Sequence, residues 1–372
     1  MSCAIRRTGC WSGRICTCAT SDDGTLPEFR WRRSEFSRSP MRHLSAEERM
    51  ELERSRLPGT NLEVSPLCYG VMRFGSLVRG KEMYELYRQY CEAGGNFFDT
   101  AHSYACWIPG GDGASERGLG ECLRRFGNRH EVVVATKGGH PHQGRFYPRP
   151  DDCMTAQVIA SDITDSLERL QIDYIDLFVL HRDDPRHPVE EIVEMLNGEI
   201  ASGRVRYIGA SNWSVARLSQ ANEYAAQKGL QGFVVSSPQW NLAHPNHSPI
   251  GWDGRYDETA LMMGERDLAW HSETRFPVMP WTPTAYGYLA GADSGNALSF
   301  DNAISRERRR RAERLADELA CTPNQISLAY LLAHDFPVFP ILGTVNAGHL
   351  ADSLAADRIR LTAEQRNWLL MG

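Results

Sequence analysis

Three ionisable side chains follow apolar runs of the sequence, each at the point where its run ends. Asp99 closes the run in "GGNFFDTAHSY", Lys137 follows "VVVAT", and His181 follows "YIDLFVL". Tyr104 stands five residues after Asp99. Because charged groups are costly to bury beside apolar strands, we take these four residues as a candidate catalytic set.

The four residue types suit proton donation to a substrate oxygen. A tyrosine with its ordinary pKa near about 10 donates poorly at neutral pH, and a neighbouring ammonium lowers that pKa by stabilising the phenolate. Lys137 supplies the ammonium, Asp99 keeps it protonated, and His181 orients or polarises the acceptor oxygen. The set predicts a general acid for the reduction of a carbonyl to an alcohol.

Eight short β-rich runs carry these residues, and most are followed by a turn and a helix-period segment. Alternating strands and helices indicate a parallel sheet, either open or closed. The number of units and the lack of a GxGxxG turn after any run favour a closed, single-domain (β/α)8 TIM barrel. The runs are 66–71, 95–99, 132–136, 174–180, 205–210, 233–237, 276–281 and 338–342.

Apolar residues at helical spacing predict helices over 155–170 and 188–201, and a third that begins with Ser115 as its N-cap. In such barrels the chemistry lies at the carboxyl ends of the strands, where Asp99, Lys137 and His181 would converge.

Composition excludes several other classes of protein. The chain has 372 residues, 42% of them hydrophobic and 24% charged, with a net charge of −6, which argues against nucleic acid as a partner. It has no apolar run long enough to cross a bilayer. The cysteines either crowd the first twenty residues or stand singly without CxxC spacing. We therefore expect a reduced, cytoplasmic protein.

The first 55 residues differ from the rest, since residues 1–40 are rich in Arg, Ser and Cys without hydrophobic periodicity. We expect 1–55 to be a disordered or over-extended leader and 56–372 to form the barrel. Two further motifs have ordinary explanations. "HPH" (140–142) and "HRDDPRH" (181–187) lie in loops and predict no metal site, and the acids around "RERRRR" (306–311) indicate a solvated helix face.

From about residue 60 to the end the chain resembles the aldo-keto reductase family. "GGNFFDTAHSY", "VVVATKGG", "LERLQIDYIDLFVLH" and "GRVRYIGASNWS" match the family's motifs in order. The resemblance implies a barrel that binds NADPH or NADH and reduces an aldehyde or ketone by direct hydride transfer. By motif position it makes Asp99, Tyr104, Lys137 and His181 the catalytic tetrad, with Tyr104 as the acid.

The resemblance also implies the cofactor contacts. Amide and hydroxyl side chains would bind the nicotinamide carboxamide, an aromatic ring would stack on the nicotinamide, and two threonines would follow around the pyrophosphate. The stretch "ILGTVNAGHLADSL" (341–354) would hold the adenosine phosphate at a helix N-terminus. In that order the implied residues are Ser211, Asn212 and Gln239, Trp281, Thr282 and Thr284, then Gly343, Thr344, Asn346, His349, Asp352 and Ser353.

The adenosine stretch departs from the family's pattern. Asn346 and His349 stand where many NADPH-using members have Lys, Arg or Gln, and a Glu-Asn pair is replaced by Asp352 and Ser353. A 2′-phosphate is best matched by charged, bidentate donors. The choice between NADP and NAD therefore stays open.

Loops at the expected barrel mouth carry the candidate substrate residues Trp107, Arg182 and Trp213. Arg182 favours a polar or sugar-like carbonyl, or it forms a rim salt bridge with Asp183 or Asp184. A nucleotide-sensing regulatory subunit on the same fold, with little turnover, is the alternative to a reductase, and a non-redox lyase is a third possibility. The sequence does not decide the physiological substrate, the direction of the reaction or the oligomeric state.

Overall fold

The computed structural model describes residues 51–141, 147–248 and 259–372. The predicted leader therefore lies outside the described residues as far as position 50. Leu52, just upstream of the predicted start of the barrel, is buried, and its backbone N–H donates to the carbonyl of Ala93 at 2.8 Å.

A short antiparallel hairpin precedes the barrel. Its strands are β1 (Ser55–Arg56) and β2 (Glu63–Val64). Three apolar side chains of this hairpin are buried in one cluster with the strand residues that fill the barrel, among them Phe97 and Val133 at the amino-terminal ends of their strands. The three are Leu57, Leu62 and Val64. The hairpin therefore packs onto the end of the barrel opposite the strand carboxyl termini.

Seven parallel strands form one continuous sheet, in the spatial order β8-β7-β6-β5-β4-β3-β9. Their bounds are β3 (Cys68–Gly70), β4 (Phe97–Asp99), β5 (Val133–Gly138), β6 (Ile175–Leu180), β7 (Val205–Ser211), β8 (Phe233–Ser237) and β9 (Ile341–Leu342).

The remaining position in the ring is filled by the segment around Val278. Isolated bridges join Ser236 to Val278 and Val278 to Val338. The Val278 segment therefore lies between β8 and the segment before β9, and this pairing closes the barrel. The prediction of a full strand over 276–281 is wrong in this respect. Pro277 and Pro280 lack the N–H that a ladder requires, which leaves bridges instead of a continuous strand.

Ten α-helices occur in the described part of the chain. Thr155 caps the third helix, which begins one residue later than predicted, and Pro188 precedes the fourth. The bounds are α1 (Gly80–Glu92), α2 (Ala114–Phe126), α3 (Ala156–Leu170), α4 (Val189–Ala201), α5 (Val215–Lys228), α6 (Glu265–Thr274), α7 (Ala303–Glu318), α8 (Pro323–Leu332), α9 (Ala347–Leu354) and α10 (Ala363–Met371).

The prediction that Ser115 caps α2 is wrong, because the helix already begins at Ala114 and its N-cap position is Gly113. Ser115 lies in the first turn, where its buried hydroxyl donates to the carbonyl of Val71 at 2.8 Å and lies 2.7 Å from the Thr100 hydroxyl. It ties the helix to the loops after β3 and β4.

The core has an inner layer and an outer layer. Inward-facing strand residues such as Ala135, Leu177 and Val235 fill the barrel. Outward-facing residues pack against the helices, for example Phe98 against Tyr87 of α1 at a ring separation of 4.9 Å. This double coverage explains why the strands read as nearly continuous apolar runs.

No helix among the described residues has the length and apolar character needed to cross a membrane. The basic run on α7 pairs with acids as predicted, for example Arg309 with Glu313 at 2.9 Å and Arg311 with Glu307 at 3.4 Å. The described cysteines are free thiols.

Two glycines give opposite predictions for stability. Gly75 has φ +67°, and a Cβ there would lie 2.2 Å from the carbonyl oxygen of Ala114. Gly198, inside α4, has nothing within 4 Å of such a Cβ. We expect Gly75→Ala to lower the free energy of unfolding by about 2 kcal/mol or more, and Gly198→Ala to raise it by about 0.5–1 kcal/mol. Urea unfolding of both variants measures this, and equal shifts would contradict it.

Candidate active site

The four candidate catalytic residues come together at the carboxyl ends of three adjacent strands. Asp99 is the last residue of β4, Lys137 lies near the end of β5, and His181 directly follows β6. Parallel register places Asp99 beside Ala135 and Lys137 beside Val179, so the three side chains share one end of the barrel. This is the end at which barrels of this type carry their chemistry.

The loop after β4 continues along β5 before it turns. The backbone N–H of Thr100 donates to the carbonyl of Ala135 at 2.9 Å, and that of His102 donates to the carbonyl of Lys137 at 2.8 Å. The N–H of Tyr104 then donates back to the carbonyl of Ala101 at 3.1 Å. These bonds return Tyr104 over Lys137.

The Lys137 ammonium has three hydrogen bonds. Its Nζ donates to Asp99 Oδ1 at 2.5 Å, to the carbonyl of Thr100 at 3.0 Å and to the Tyr104 hydroxyl at 2.9 Å. Asp99 and Lys137 are 1% and 3% exposed, so solvent contributes little to either charge. Only the protonated form of a lysine has three donors, and the geometry therefore matches the charged state.

Burial and charge act in opposition on this trio. Burial raises the pKa of Asp99, although the charge and hydrogen bond of Lys137 and a hydrogen bond with Tyr104 oppose the rise. For Lys137, burial lowers the pKa, but Asp99 and Tyr104 together outweigh it and the net direction is upward. The ammonium therefore stays protonated at neutral pH.

The net pKa of Tyr104 differs from the sequence expectation. Lys137 does lower it, as expected, but burial is the larger effect, and the resulting pKa lies above the ordinary value. The sequence does not show how far the phenol is withdrawn from water, and desolvation therefore enters only with the folded structure. The phenol is therefore protonated at neutral pH.

His181 is held from several directions. Its Nδ1 lies 3.3 Å from Ser103 Oγ, and its backbone carbonyl accepts from Asn212 Nδ2 at 3.1 Å and from Arg182 Nη1 at 2.9 Å. The ring is edge-on to His140, with centroids 4.6 Å apart. Burial, with smaller contributions from His140 and Arg182, lowers the pKa of His181 well below its usual range, so its imidazole is neutral.

Two of the predicted carboxamide contacts, Ser211 and Asn212, are already engaged within the protein. Ser211 Oγ donates to the carbonyl of Ser237 at 2.7 Å and accepts from Asn212 Nδ2 at 2.9 Å. The Asn212 Oδ1 accepts from the N–H of Leu261 at 3.0 Å. Asn212 also has a left-handed backbone, with φ 62°.

Gln239 and Trp281 differ, because each keeps a buried polar atom without a partner. These atoms are Gln239 Oε1 and Trp281 Nε1. An isolated bridge joins the two residues, and Gln239 Nε2 donates to Thr282 Oγ1 at 3.0 Å. Buried polar groups in proteins nearly always have partners, and a ligand bound here would supply the partners that these two atoms lack.

The chain after Trp281 has an unusual backbone. Thr282, Ala285 and Tyr286 all have positive φ, at 51°, 51° and 55°. The loop is fixed in place, since the Thr282 carbonyl accepts from Asn241 Nδ2 at 3.1 Å and the Thr284 carbonyl accepts from the Gly287 N–H at 2.9 Å. Such conformations in non-glycine residues concentrate at ligand sites.

The predicted adenosine residues follow β9. Gly343 and Thr344 occupy the turn, and the Thr344 carbonyl accepts from the Tyr69 hydroxyl at 3.0 Å. Asn346 is the N-cap of α9, with its Oδ1 accepting from the N–H of His349 at 3.0 Å. Both Asn346 and His349 are exposed.

The last two predicted residues face another helix. Asp352 accepts from Thr322 Oγ1 at 2.9 Å and from Asn324 Nδ2 at 2.8 Å. Ser353 Oγ accepts from Asn324 Nδ2 at 3.0 Å. Thr322 caps α8, so these bonds join α9 to the start of α8.

The candidate substrate residues Trp107 and Trp213 differ in burial. Trp107 is half-buried on the loop after β4. Trp213 is 1% exposed and packs against Phe233 at 5.1 Å, while its Nε1 donates to the carbonyl of Arg182 at 3.2 Å. Trp213 therefore packs in the core and supports the backbone of Arg182.

Arg182 is buried beside His181, and its Nε donates to Thr259 Oγ1 at 2.9 Å. The carboxylates named in the rim alternative have other partners: Asp183 pairs with Arg217 at 2.9 Å, and Asp184 pairs with Arg186.

The two histidine motifs lie in different surroundings. In "HPH", the His140 Nδ1 lies 2.8 Å from the Pro141 carbonyl, and residue 142 is outside the described residues. From "HRDDPRH", Asp184 and His187 lie close to Asp152, with Asp152 Oδ1 2.8 Å from His187 Nε2. Asp184 pairs with Arg186 and Asp152 pairs with His187, so each carboxylate has a partner within the protein.

Sequence reasoning missed Ser103, which contacts His181, and the buried pair Arg149–Asp162. Arg149 binds both Asp162 oxygens at 2.7 Å, and Asp162 Oδ2 also accepts from the N–H of Gly139, two residues after Lys137. The position of Ser103 next to Tyr104 is the one sequence signal that points to Ser103. No sequence signal links Arg149 to Asp162.

Comparison with known proteins shows the family to which the chain belongs. The family described as "Aldo/keto reductase family" matches residues 66–369. Aryl-alcohol dehydrogenase [NADP(+)] of Phanerodontia chrysosporium is 28% identical over 85% of this chain and 84% of its own length. Norsolorinic acid reductase B of Aspergillus parasiticus is 31% identical, over 84% and 82% of the two chains.

Among solved structures, a thermostable aldo-keto reductase crystallised with the inhibitor epalrestat superimposes with a TM-score of 0.63 at 23% identity. The match covers 85% of this chain and 98% of that one, and it supports the closed barrel. From the matched family and these relatives, we conclude that the chain belongs to the aldo-keto reductase family and is an NAD(P)-dependent oxidoreductase.

Proposed function

We propose that this protein reduces an aldehyde or ketone to an alcohol, with NADPH or NADH as reductant and Tyr104 as the general acid. The observation that carries the proposal is the contact between Lys137 Nζ and the Tyr104 hydroxyl at 2.9 Å, with Asp99 2.5 Å from the same ammonium. This arrangement places a fixed positive charge where a phenolate would form.

The unpartnered Gln239 Oε1 fits the cofactor, because a carboxamide offers the N–H donors that this atom lacks. When bound, the reduced nicotinamide supplies the hydride for the carbonyl carbon. Asn212 donates to the carbonyl of His181 and accepts from the N–H of Leu261, whose carbonyl in turn accepts from the N–H of Gln239 at 2.8 Å. Trp281 offers an indole face for the nicotinamide, and Thr282 and Thr284 lie on the fixed loop assigned to the pyrophosphate.

Proton transfer needs Tyr104 protonated before reaction and stabilised as it loses its proton. Its raised pKa meets the first requirement. As the substrate oxygen becomes negative, the Tyr104 O–H bond breaks, the alcohol O–H bond forms, and the phenolate is left against Lys137. Because Lys137 gains more from a phenolate than from a phenol, it stabilises the charge that develops during the reaction.

For the adenosine end, we propose that the backbone at the start of α9 and the turn at Gly343 and Thr344 hold the phosphate. Asn346 contributes by capping that helix. His349 is the exposed side chain assigned to the 2′-position. Asp352 and Ser353 would act indirectly, by fixing α9 against α8.

Two observations suggest which carbonyl compounds to test as substrates. Arg182 lies beside His181 and carries a positive charge, which favours a polar or sugar-like carbonyl. The name of the aryl-alcohol dehydrogenase adds aromatic carbonyls to the compounds worth testing. Trp107 would lie on the same rim.

The experiment that tests the proposal combines cofactor binding with turnover. NADPH and NADH are titrated separately by fluorescence, and the oxidation of each is followed with a panel of polar and aromatic aldehydes and ketones. A reductase binds a cofactor and consumes it only when a carbonyl is present. Binding with almost no turnover over the whole panel would instead indicate a nucleotide sensor, and turnover without net consumption would indicate a lyase.

The first of three predictions for the site concerns the buried ion pair. Asp99→Asn and Lys137→Met should each lower the free energy of unfolding by about 3–5 kcal/mol, because each leaves a buried partner without its counterpart. The double variant should lose less than the sum of the two, with a coupling of about 2 kcal/mol, by urea unfolding. The control pair Arg88 and Glu92, with side chains 48% and 61% exposed, should couple by about 0.5 kcal/mol or less. Equal coupling in both pairs would contradict the prediction.

The second concerns the proton donor. Tyr104→Phe should lower kcat for carbonyl reduction by about 10²–10⁴-fold and leave the Kd for NADPH nearly unchanged. The control is Tyr84→Phe, which removes a phenol hydroxyl bonded to Glu121 between α1 and α2. Near-normal turnover by Tyr104→Phe would remove Tyr104 from the mechanism.

The third concerns substrate preference. Arg182→Ala should lower kcat/KM for a polar aldehyde by about tenfold more than for an aromatic aldehyde, since only the polar substrate loses a charged hydrogen-bond donor. Arg186→Ala, at an exposed arginine paired with Asp184, is the control. An unchanged ratio in Arg182→Ala would exclude Arg182 as the selecting residue.

A further inference from the structure

The least explained contact in the site is the one between Ser103 and His181. Ser103 Oγ lies 3.3 Å from His181 Nδ1, and the two residues are 2% and 7% exposed. Among the described residues it is the hydrogen-bonding contact of this imidazole, whose other close neighbours are the rings of Tyr104 and His140.

A neutral imidazole exists in two tautomers, with the proton on Nδ1 or on Nε2. A carbonyl oxygen accepts hydrogen bonds only, so His181 assists its reduction when Nε2 carries the proton. Nδ1 is then an acceptor and needs a donor. The Ser103 hydroxyl can supply that donor, because a hydroxyl rotates to donate or accept.

We infer that Ser103 is a positioning residue that donates to His181 Nδ1 and so holds His181 in the tautomer that presents Nε2–H to the substrate oxygen. The inference rests on the proposed function, since it assigns a partner to one of that function's residues. Ser103 does not touch the reacting atoms.

The local structure fixes the Ser103 hydroxyl in place. Its neighbour His102 is bonded at both ring nitrogens, to the Tyr147 hydroxyl at 2.8 Å and to Asp165 Oδ2 at 3.0 Å. The Ser103 carbonyl accepts from the N–H of Cys106 at 3.2 Å. One rigid segment therefore delivers both the Tyr104 phenol and the Ser103 hydroxyl to the site.

The other groups facing His181 do not set the tautomer. Among the neighbouring charges, His140 acts on it most strongly, followed by Arg182, Lys137 and His102, and all four favour the neutral ring without choosing between its nitrogens. Asn212 and Arg182 bind the backbone carbonyl of His181, which orients the residue as a whole. Selection between Nδ1 and Nε2 falls to Ser103.

The test reads the tautomer directly, by ¹⁵N NMR of the full chain labelled at histidine, with the His181 signal assigned by its loss in His181→Gln. The wild-type protein should show the Nε2–H tautomer. Ser103→Ala should show a substantial population of Nδ1–H, and Ser103→Cys, with a weaker donor, should fall between the two. An unchanged tautomer in Ser103→Ala overturns the inference whatever the activity.

The kinetic arm uses the same variants. Ser103→Ala should lower kcat roughly fivefold to tenfold, as expected for the loss of one hydrogen bond, with the Kd for NADPH unchanged. Ser305→Ala, which removes a buried hydroxyl bonded to the His244 carbonyl, should leave kcat unchanged. A changed tautomer with normal kcat also overturns the inference. A wild-type protein that reduces no carbonyl overturns the proposed function, and the NMR result still decides the role of Ser103.

Discussion

The active end of the barrel depends on one buried ammonium with all three of its protons engaged. Lys137 donates to Asp99, to the Thr100 carbonyl and to the Tyr104 hydroxyl, with almost no exposure to solvent. A charge in such a place is tolerated only when it is paired and fully hydrogen-bonded. The three partners therefore must be held in position, and much of the surrounding structure can be understood as the means of holding them.

The means are mostly backbone bonds between neighbouring strand ends and the loop after β4. That loop extends the β4–β5 pairing by two further bonds, to Ala135 and Lys137, before it turns back. The helices then fix the loop from outside, through Ser115 of α2 and Asp165 of α3. Function and stability are joined here, because the bonds that place the phenol are bonds of the barrel itself.

Polar side chains at the mouth fall into two groups, which differ in whether their hydrogen bonds are satisfied within the protein. One group donates its hydrogen bonds to carbonyls of the protein itself, and it consists of Ser211, Asn212 and Trp213. Gln239 and Trp281 each keep a buried atom without a partner. Burial of an unsatisfied polar atom has a cost, and that cost is recovered when a ligand supplies the missing partner.

The sequence by itself determined the order of strands and helices and the closed parallel barrel, and it predicted a candidate catalytic set whose four members the structure brings together. These features follow from local properties that can be read along the chain, namely the hydrophobic periodicity, the residues that form turns and the residue that follows each apolar run. It did not reveal that Pro277 and Pro280 reduce one strand to bridges, that Asp352 and Ser353 face α8, or that Trp213 lies in the core. The sequence also predicted a lowered pKa for Tyr104, whereas its net pKa is raised.

Those points were decided by the tertiary structure, because each depends on what surrounds a side chain in three dimensions. Desolvation of Tyr104 is set by the packing around it, and the contact of Ser103 with His181 joins residues 78 positions apart. A linear pattern shows which groups are available for chemistry. Only the folded chain determines which of them are bonded to each other and which are left for a ligand, since hydrogen bonds and burial are properties of space and not of sequence distance.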